Sequence, residues 1–335
     1  MEEFRIGILG AGHIAEKMAH TVAAMDGVRI YAVASRSLEK ASEFAGRFGI
    51  GKAYGSYEEM VADPLVEMVY VATPHSYHYP HVRLCLEHGR HVLCEKSFML
   101  NAHEAEEVIG IAREKRLFLA EAIWTRYQPA RRLLNEIVES GEIGRPQFLT
   151  AHLGYPLTHK ERVWKAELGG GALLDIGVYC LNFAIMNFGH DIVDITTSCV
   201  KNDEGVDASE TIVLKYSDGR MATLTTTIYG ANYRQGLILC DNGSVLTHNI
   251  NNPLGFEIYS KDQKLIRTVE APRQNSGFVY EVQECIDSIR AGLIEPPSMP
   301  HDEILFMMRL MDKLREQWGV RFPGERSNVE SRNKI

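Results

Sequence analysis

The sequence predicts an α/β protein built from two domains, a doubly wound parallel sheet followed by an α+β domain with a large open, mainly antiparallel sheet. Two observations support this prediction. The chain has 335 residues, more than one domain usually holds. Short apolar runs alternate with helical patterns in its first third, whereas strand follows strand in the later part. We therefore expect a first domain over residues 1–123 and a second over residues 124–335.

Five apolar runs in the first domain are typical of buried strands, and four helical patterns alternate with them. The strands are RIGILG, VRIYAVAS, MVYVAT, HVLCEK and LFLAEAI, and the helices are AEKMAHTVAAM, LEKASEFAGRFG, YHYPHVRLCLEHG and NAHEAEEVIGIAREKR. Because such alternation implies right-handed crossovers, the strands should form a parallel sheet with helices on both faces.

The second domain is predicted to be richer in strands. Its strand candidates, several of them separated by turn signals, are PQFLTAHLGY, ETIVLKYSDG, MATLTTTIYG, QGLILCDNG, SVLTHNI and GFEIYSKD. Helices that would cover one face of this sheet are ARRLLNEIVESG, GALLDIGVYCLNFAI, YEVQECIDSIRAG and HDEILFMMRLMDKLREQW. The last helix, over residues 301–318, is a candidate to pack back on the first domain.

Composition argues against several classes of protein. The net charge of -8 leaves no basic footprint for nucleic acid. No apolar run approaches the ~20 residues needed to cross a bilayer, and the N-terminus has no signal-peptide pattern. The six cysteines form no Cys-x-x-Cys pair, which argues against a disulfide framework or a structural zinc site. We therefore expect a cytoplasmic globular protein without nucleic-acid or membrane partners.

A glycine-rich turn joins the first strand to the first helix. Gly10 permits the tight turn, Gly12 permits close approach of a pyrophosphate to the helix N-terminus, and Ala15 is small where helix meets strand. His13 and Ile14 complete the turn. This strand–turn–helix context is typical of a dinucleotide site in a Rossmann-type domain, and an ordinary strand-to-helix turn is the alternative.

The end of the second strand favours NADP(H) over NAD(H). An acidic residue there would bind the ribose 2′-hydroxyl and repel a 2′-phosphate. The chain instead has Ser35 and Arg36, with Lys40 one turn into the next helix. A hydroxyl, a guanidinium and an ammonium together suit a phosphate. The alternative is that Arg36 merely faces solvent.

The strand MVYVAT ends in further cofactor candidates. Thr73, Pro74 and His75 fall at the carboxyl edge of the sheet, where a dinucleotide would lie, and His78 begins the next helix. His75, His78 and His81 are spaced three residues apart and wind round a helix without a second group of ligands. We therefore expect a solvated helix start and no metal.

Three motifs at these intervals carry a resemblance to a known family. GILGAGHIA, VATPHSYH and CEKSFMLN look like the oxidoreductases named for glucose–fructose oxidoreductase, inositol dehydrogenase and the rhizopine-catabolism proteins (Gfo/Idh/MocA), over essentially the whole chain. EAIWTRYQPA, GGGALLDIGVYC and WGVRFPGE most resemble the dimeric dihydrodiol dehydrogenases and NADP-dependent D-xylose dehydrogenases of that family. The resemblance implies a Rossmann-type cofactor domain and hydride transfer to or from a nicotinamide.

The resemblance gives a role to two charges at the end of HVLCEK. In the family a Glu-Lys-Pro motif follows this strand and its lysine lies beside the nicotinamide, which corresponds here to Lys96, with Glu95 as its neighbour. Lys96 would hydrogen-bond the reacting oxygen and stabilise alkoxide charge during hydride transfer. Ser97 departs from the family proline, which frees one backbone N–H and loosens the turn. A structural ion pair between Glu95 and Lys96 is the alternative.

The helix GALLDIGVYCLNFAI carries a second pair of polar side chains. Asp175 and Tyr179 are four residues apart, so they share one face of an otherwise apolar helix. The wider family has histidine at the second position, whereas the dihydrodiol and xylose dehydrogenase subgroup has tyrosine. Tyr179 is the candidate acid/base, with Lys96 favouring the phenolate and Asp175 orienting substrate hydroxyls. Lys96 could itself transfer the proton, and Tyr179 could instead be a buried structural tyrosine.

Further candidates would line the substrate pocket. Trp164 could form a wall by stacking or could simply pack in the core, and Trp124 and Arg126 are placed by resemblance more than by spacing. The complete set is Trp124, Arg126, Tyr155, Arg162 and Trp164.

The sequence therefore predicts an NADP(H)-dependent oxidoreductase acting on a CH–OH group of a small polyhydroxylated substrate, a sugar or a vicinal diol. Two alternatives stay open, an NAD(H)-dependent sugar or cyclitol dehydrogenase of the same fold and a catalytically silent NADP(H)-binding regulatory protein. The uncovered face of the second sheet should pack against another copy, so a homodimer is expected, with a tetramer as the alternative.

Overall fold

The structure is a computed structural model that describes residues 3–272, 274 and 276–325. Its first portion alternates strands and helices. The elements are β1 (Phe4–Leu9), α1 (His13–Ala23), β2 (Val28–Ala34), α2 (Leu38–Phe48), β3 (Lys52–Tyr54), α3 (Tyr57–Ala62), β4 (Met68–Val71), α4 (His78–Glu87), β5 (His91–Glu95), α5 (Ala102–Lys115) and β6 (Leu119–Ala122).

These strands form one six-stranded sheet in the order β3-β2-β1-β4-β5-β6, and every neighbouring pair is parallel. All residues of β4 and β6 are buried, as expected for strands covered by helices on both faces. The strand order reverses between β1 and β4, so a crevice opens at the carboxyl ends of these strands, where ligands bind in such sheets. The predicted doubly wound parallel sheet is confirmed.

Local sequence explains where the helices of this portion begin. The Ser37 hydroxyl accepts the backbone N–H of Lys40 at the start of α2, and that helix ends at Gly49 with a φ of 66°. The Asn101 side chain likewise accepts the N–H of Glu104 at 2.9 Å at the start of α5. These caps fix the first turns of α2 and α5, the helices that follow β2 and β5.

The later portion contains most of the remaining strands. The elements are α6 (Pro129–Glu139), β7 (Pro146–Gly154), α7 (Glu161–Trp164), a π-helical turn (Leu173–Gly177), α8 (Val178–Phe188), β8 (Ile192–Lys201), β9 (Asp207–Tyr216), β10 (Met221–Thr227), β11 (Gly236–Cys240), β12 (Gly243–Thr247), β13 (Gly255–Ser260), β14 (Leu265–Glu270), α9 (Phe278–Arg290) and α10 (His301–Trp318).

The second sheet has eight strands in the order β14-β13-β12-β11-β7-β10-β9-β8. Within this sheet the described strands β7 and β10 pair in parallel, and the other neighbouring strands pair antiparallel. Along β10, Ala222 and Leu224 are buried while Thr223 and Thr225 stay partly exposed, so one face is covered and the other is open. The predicted α+β architecture with a mainly antiparallel sheet is confirmed.

The chain divides into two compact units. The first comprises the chain up to Trp124 together with two later segments, one ending at Arg309 and one beginning at Gly324. The second comprises Thr125–Gln274 and Leu310–Pro323. The division of the sequence into domains at residues 123 and 124 stays a prediction, since compactness is not a test of independent folding.

One segment of the described chain, Ala166–Phe188, is long and apolar enough to cross a bilayer, contrary to the prediction that no apolar run has that length. Within the structure 89% of its most apolar window is buried. The apolar side chains of this segment therefore pack in the core of the second unit.

Candidate active site

The turn after β1 requires glycine at its first position. Gly10 has a φ of +105°, and a Cβ atom there would lie 3.0 Å from the carbonyl oxygen of Ala72. The N–H of Gly10 donates to the carbonyl of Ala34 at 2.9 Å. The glycine thus lets the chain pass close to the ends of β2 and β4, at the carboxyl edge of the sheet.

The helix that follows begins without a side-chain cap. Gly12 is the cap residue of α1, and because glycine has no side chain it makes no capping hydrogen bond to the first N–H groups of the helix. A Cβ atom on Gly12 would meet nothing within 4 Å. The His13 side chain is 71% exposed, whereas Ile14 packs against the core. Uncapped N–H groups beside open space fit the pyrophosphate of a dinucleotide.

The residues predicted to bind the 2′-phosphate of the cofactor ribose follow one another after β2. The N–H of Ser35 donates to the carbonyl of Tyr54 at 3.2 Å, which holds this end of the strand. Arg36 is exposed, and its guanidinium carbon lies 5.9 Å from the centre of the Tyr77 ring. Lys40 is exposed in the first turn of α2. This edge of the site is therefore basic and accessible.

Thr73 and Pro74 lead from β4 into a single 3-10 turn, His75–Tyr77. The Thr73 hydroxyl lies 3.0 Å from Nδ1 of His81, one turn into α4. Burial, and then the charges of His78 and Arg36, lower the pKa of His81 to about 4. His81 is therefore a neutral ring at neutral pH.

His75 and His78 are buried, so the prediction of a solvated helix start is wrong for them. Their exposed fractions are 7% and 0%. Nε2 of His75 lies 3.2 Å from the carbonyl oxygen of Lys96. Nδ1 of His78 lies 2.9 Å from the carbonyl of Ser97, and its Nε2 lies 2.8 Å from that of Thr73. Both rings brace the turn that carries Lys96, and their contact with a cofactor stays a prediction.

The turn after β5 presents Lys96 as a half-buried side chain. The Lys96–Ser97 peptide is cis, and Ser97 is buried. The carboxylate of buried Glu95 accepts hydrogen bonds from the Tyr70 hydroxyl and, at 3.3 Å, from the N–H of Lys96. Burial, followed by the Glu95 charge, raises the pKa of Tyr70, which keeps its phenol a donor. The two histidines and Glu95 thus hold the turn that lacks a proline.

In the second unit, Asp175 lies on the π-helical turn and Tyr179 follows it in α8. Their exposed fractions are 4% and 9%. Nη1 of Arg162 lies 2.6 Å from Oδ1 of Asp175, and Nη2 lies 3.5 Å from Oδ2. Two residues that the sequence selected separately therefore form an ion pair, which the sequence did not predict. π-helical turns occur often at functional sites.

Two buried carboxyl groups on β9 lie against this turn. Asp207 accepts the N–H of Leu173 at 2.6 Å, and Glu210 accepts the hydroxyl of Thr226. Burial raises the pKa of both groups, and for Glu210 the charge of Asp207 adds to the effect. A Cβ atom on Gly171 would lie 2.6 Å from Oδ1 of Asp207. Gly171 therefore makes room for the Asp207 carboxyl group.

Two of the predicted pocket residues are engaged with neighbours in their own unit. Nε of buried Arg126 donates to Oδ1 of Asn182 at 2.5 Å. The Trp124 ring stacks on Phe278 with a centroid distance of 4.6 Å and an angle of 4°. Arg126 is thus fixed against α8, and Trp124 against α9.

Tyr155 and Trp164 also have defined neighbours. The Tyr155 hydroxyl donates to Asn251 at 3.3 Å, and the Arg234 guanidinium lies 5.3 Å from the Tyr155 ring centre. Trp164 is half-buried, and its carbonyl accepts the side-chain amide of Asn202 at 2.8 Å. The contact of these residues with a substrate stays a prediction.

Several partners of the predicted residues were missed by the sequence reasoning. Glu210 could have been found from the sequence. It occupies an inward position of a strand whose other inward residues, such as Ala208 and Ile212, are apolar. No pattern in the sequence could have indicated Phe278 or Asn182, because their contacts join segments that are far apart in the chain.

These features are typical of the class of oxidoreductases that carry a Rossmann-type dinucleotide domain. They are the doubly wound sheet, the uncapped helix after a glycine turn at its crevice, and the α+β unit with an open sheet. Comparison with known proteins gives the family. Residues 4–122 match the oxidoreductase family with an NAD-binding Rossmann fold, and residues 132–246 match the GFO/IDH/MocA C-terminal domain. The chain belongs to the GFO/IDH/MocA oxidoreductase family, as its motifs predicted.

Three curated relatives share one name, trans-1,2-dihydrobenzene-1,2-diol dehydrogenase. The protein from Xenopus tropicalis is 34% identical over 325 residues, covering 95% of this chain and 98% of the relative. The protein from Mus musculus is 33% identical over 329 residues, covering 96% and 99%. The protein from Homo sapiens is 34% identical over 307 residues, covering 89% and 91%.

Solved structures are similar over nearly the whole chain. KijD10, a 3-ketoreductase from Actinomadura kijaniata in complex with NADP and TDP-benzene, has a TM-score of 0.87 and 25% identity, covering 94% of this chain and 98% of that chain. An aldose-aldose oxidoreductase from Caulobacter crescentus complexed with glycerol has a TM-score of 0.85 and 22% identity, covering 95% and 98%. The second likeness supports the fold alone.

Proposed function

We propose that the protein is an NADP(H)-dependent oxidoreductase that transfers hydride between the nicotinamide and a CH–OH group of a sugar or a vicinal diol. The observation that carries the proposal is the braced turn after β5. It places a half-buried ammonium, Lys96, at the carboxyl edge of the dinucleotide sheet. Such a group is suited to hold a reacting oxygen.

The cofactor preference rests on the end of β2. Ser35 and Arg36 stand where an NAD(H) site usually has an acid. The Arg36 guanidinium makes no hydrogen bond or ion pair with any described residue, so its donors remain for a phosphate. The structure of KijD10, which is similar to this chain, contains NADP.

The reaction requires a hydride acceptor, which the nicotinamide would supply when bound, and a group that takes the hydroxyl proton. Lys96 would donate a hydrogen bond to the reacting oxygen and stabilise its negative charge as the alcohol is oxidised. Tyr179, nearly buried on its helix, would take the proton during oxidation and return it during reduction. The Arg162–Asp175 pair would orient neighbouring hydroxyls, because together its atoms can donate and accept hydrogen bonds.

The substrate class follows from chemistry shared by the relatives. The curated relatives are named for a trans-diol, and KijD10 is described as a 3-ketoreductase. Both descriptions name a carbon that is either CH–OH or C=O. We infer a substrate with adjacent hydroxyl groups, because the relatives are named for a 1,2-diol and a guanidinium–carboxylate pair such as Arg162–Asp175 can hydrogen-bond two neighbouring hydroxyls.

We also propose a homodimer formed through the open face of the second sheet, and a cytoplasmic location. All six cysteines lie in the described part of the chain and are free thiols, which fits a reducing compartment.

The test is a panel of purified-protein assays. NADP⁺ reduction would be measured with trans-dihydrodiols, D-xylose, other aldoses and cyclitols, with NAD⁺ in parallel, and NADPH oxidation with keto sugars. Lys96→Met should lower kcat by about 10²–10⁴-fold, because it removes the donor to the reacting oxygen while keeping a chain of similar size. Its dissociation constant for NADPH, measured by fluorescence, should change much less.

Turnover with NADP⁺ on one member and its collapse in Lys96→Met would support the proposal. Preferential turnover with NAD⁺ would replace it with an NAD(H)-dependent sugar or cyclitol dehydrogenase. Tight NADPH binding without turnover on any member would indicate a silent regulatory protein instead.

A further inference from the structure

Three side chains, those of Arg36, Tyr77 and His81, lie in contact near the end of β2. The guanidinium of Arg36 lies over the Tyr77 ring at 5.9 Å. On the Tyr77 ring lies His81, with a centroid distance of 5.8 Å and an angle of 14° between the planes. Tyr77 remains 38% exposed. The Tyr77 ring therefore contacts both an exposed arginine and a half-buried histidine.

His81 has two further contacts besides the one with Tyr77. The Tyr57 ring meets His81 edge-on at a centroid distance of 4.6 Å. The Thr73 hydroxyl lies 3.0 Å from His81 Nδ1. His81 carries no charge at neutral pH, since burial lowers its pKa to about 4, so it does not repel the Arg36 guanidinium. Tyr77 thus packs against a histidine that is itself held in place by Tyr57 and Thr73.

Arg36 makes no hydrogen bond or ion pair with any residue that the structure describes. Neither a carboxylate nor a carbonyl among the described residues accepts a hydrogen bond from its guanidinium. An exposed arginine normally samples many rotamers, and ordering it at a ligand costs conformational entropy. A ring beneath the guanidinium restricts those rotamers before a ligand arrives.

We propose that Tyr77 is a positioning residue for cofactor selection, holding the Arg36 guanidinium where it binds the 2′-phosphate that distinguishes NADP(H) from NAD(H). The proposal rests on the proposed NADP(H) preference and adds to it a residue on another strand–helix connection. It assigns no contact with the reacting atoms. Its specific consequence is that losing the ring should weaken binding of ligands with a 2′-phosphate and leave ligands without one unchanged.

The experiment measures binding rather than turnover, so it does not need the substrate. Titration calorimetry would give dissociation constants for adenosine 2′,5′-bisphosphate and for 5′-AMP, and fluorescence would give those for NADPH and NADH. Tyr77→Leu is the test variant, and Tyr77→Phe is the matched control that keeps the ring. For Tyr77→Leu we expect the two 2′-phosphate ligands to bind about 3–10-fold more weakly, and for Tyr77→Phe a change of less than about 2-fold.

Arg36→Ala provides the reference. It should remove most of the preference for the 2′-phosphate, and adding Tyr77→Leu to it should have no further effect, because Tyr77 acts through Arg36. Equal weakening of NADPH and NADH in Tyr77→Leu would overturn the proposal, as would unchanged binding of both. If the unmodified protein binds NADH as tightly as NADPH, the proposed cofactor preference itself fails, and that outcome is separate from the behaviour of the variants.

Discussion

Glu281 carries a carboxyl group in the core of the first unit. It is fully buried on α9, and neither of its oxygens has a hydrogen-bond partner among the described residues. Burial, followed by the charge of Glu95, raises its pKa well above the usual range. Tyr70 and Cys285, whose own pKa values are raised by burial, are its other titratable neighbours. Folding therefore favours the protonated, neutral form of this carboxyl group.

Replacing Glu281 by glutamine should stabilise the fold in a pH-dependent way. Between the unfolded pKa of a glutamate and the raised folded pKa, the folded state binds the extra proton, so stability falls as pH rises. The glutamine variant lacks this dependence. We expect a gain of about 1–3 kcal/mol in the free energy of unfolding at pH 8 and little gain near pH 4.5.

Urea unfolding at several pH values would measure this gain. The exposed Glu114→Gln variant is the control and should leave the pH dependence unchanged. A gain from Glu281→Gln of the same size at every pH would contradict the argument, because packing and not titration would then explain it.

A second residue-scale question is which group transfers the proton. Tyr179→Phe removes only a hydroxyl from a nearly buried ring, so the fold should keep its thermal midpoint within a few degrees. We expect kcat for a substrate found in the panel to fall about 10²–10⁴-fold and the titrating limb of the pH–rate profile to disappear. Activity within tenfold of the unmodified protein, with that limb retained, would assign the proton transfer to Lys96.

At the scale of elements, the π-helical turn and β9 are shaped to fit each other. Gly171 has a φ of +119°, which side chains rarely adopt, and its missing Cβ makes room for Asp207. The Asp207 carboxyl in turn accepts the N–H of Leu173 at the start of the turn. The N–H of Asp175 donates to the carbonyl of Gly171 at 3.3 Å, so the position of Asp175 depends on this glycine and on an acid carried by another strand.

Gly171→Ala should accordingly destabilise the protein by about 2–4 kcal/mol, from backbone strain and from the clash with Asp207. Gly110→Ala is the matched control, since Gly110 lies inside α5 and a Cβ there meets nothing within 4 Å. In a helix interior that change should be neutral or stabilising by up to about 1 kcal/mol. Unfolding by urea compares the two variants, and equal stabilities would refute the proposed fit.

The sequence predicted the elements that have a strong pattern and missed those that lack one. All strands of the first sheet except β3, which has only three residues, were recognised from apolar runs. Strands β8 and β14 were missed because they are edge strands with no buried residues, so no alternation marks them. The histidines at the start of α4 were misjudged for a related reason, because their burial depends on the turn at Lys96, which lies on another strand.

At the scale of the whole molecule, the open face of the second sheet explains why a second copy is expected. The register places outward side chains in one row across five strands, and all of them are partly exposed. The row contains Leu246, Leu237, Thr150, Thr223 and Val213. It carries no charge, and a flat uncharged row of this kind suits contact with an identical row related by a twofold axis.

A charge at the centre of this row should separate the copies. Thr223→Arg would bring two arginines together across a twofold axis, so we expect the dimer dissociation constant to rise at least ~100-fold while the monomer stays folded. Sedimentation velocity measures the association, and NADPH binding checks the fold. Thr268→Arg, the same change on the exposed edge strand β14, should leave the dimer intact. If the unmodified protein sediments as a monomer the proposed dimer fails, and if Thr223→Arg remains dimeric the copies meet through another surface.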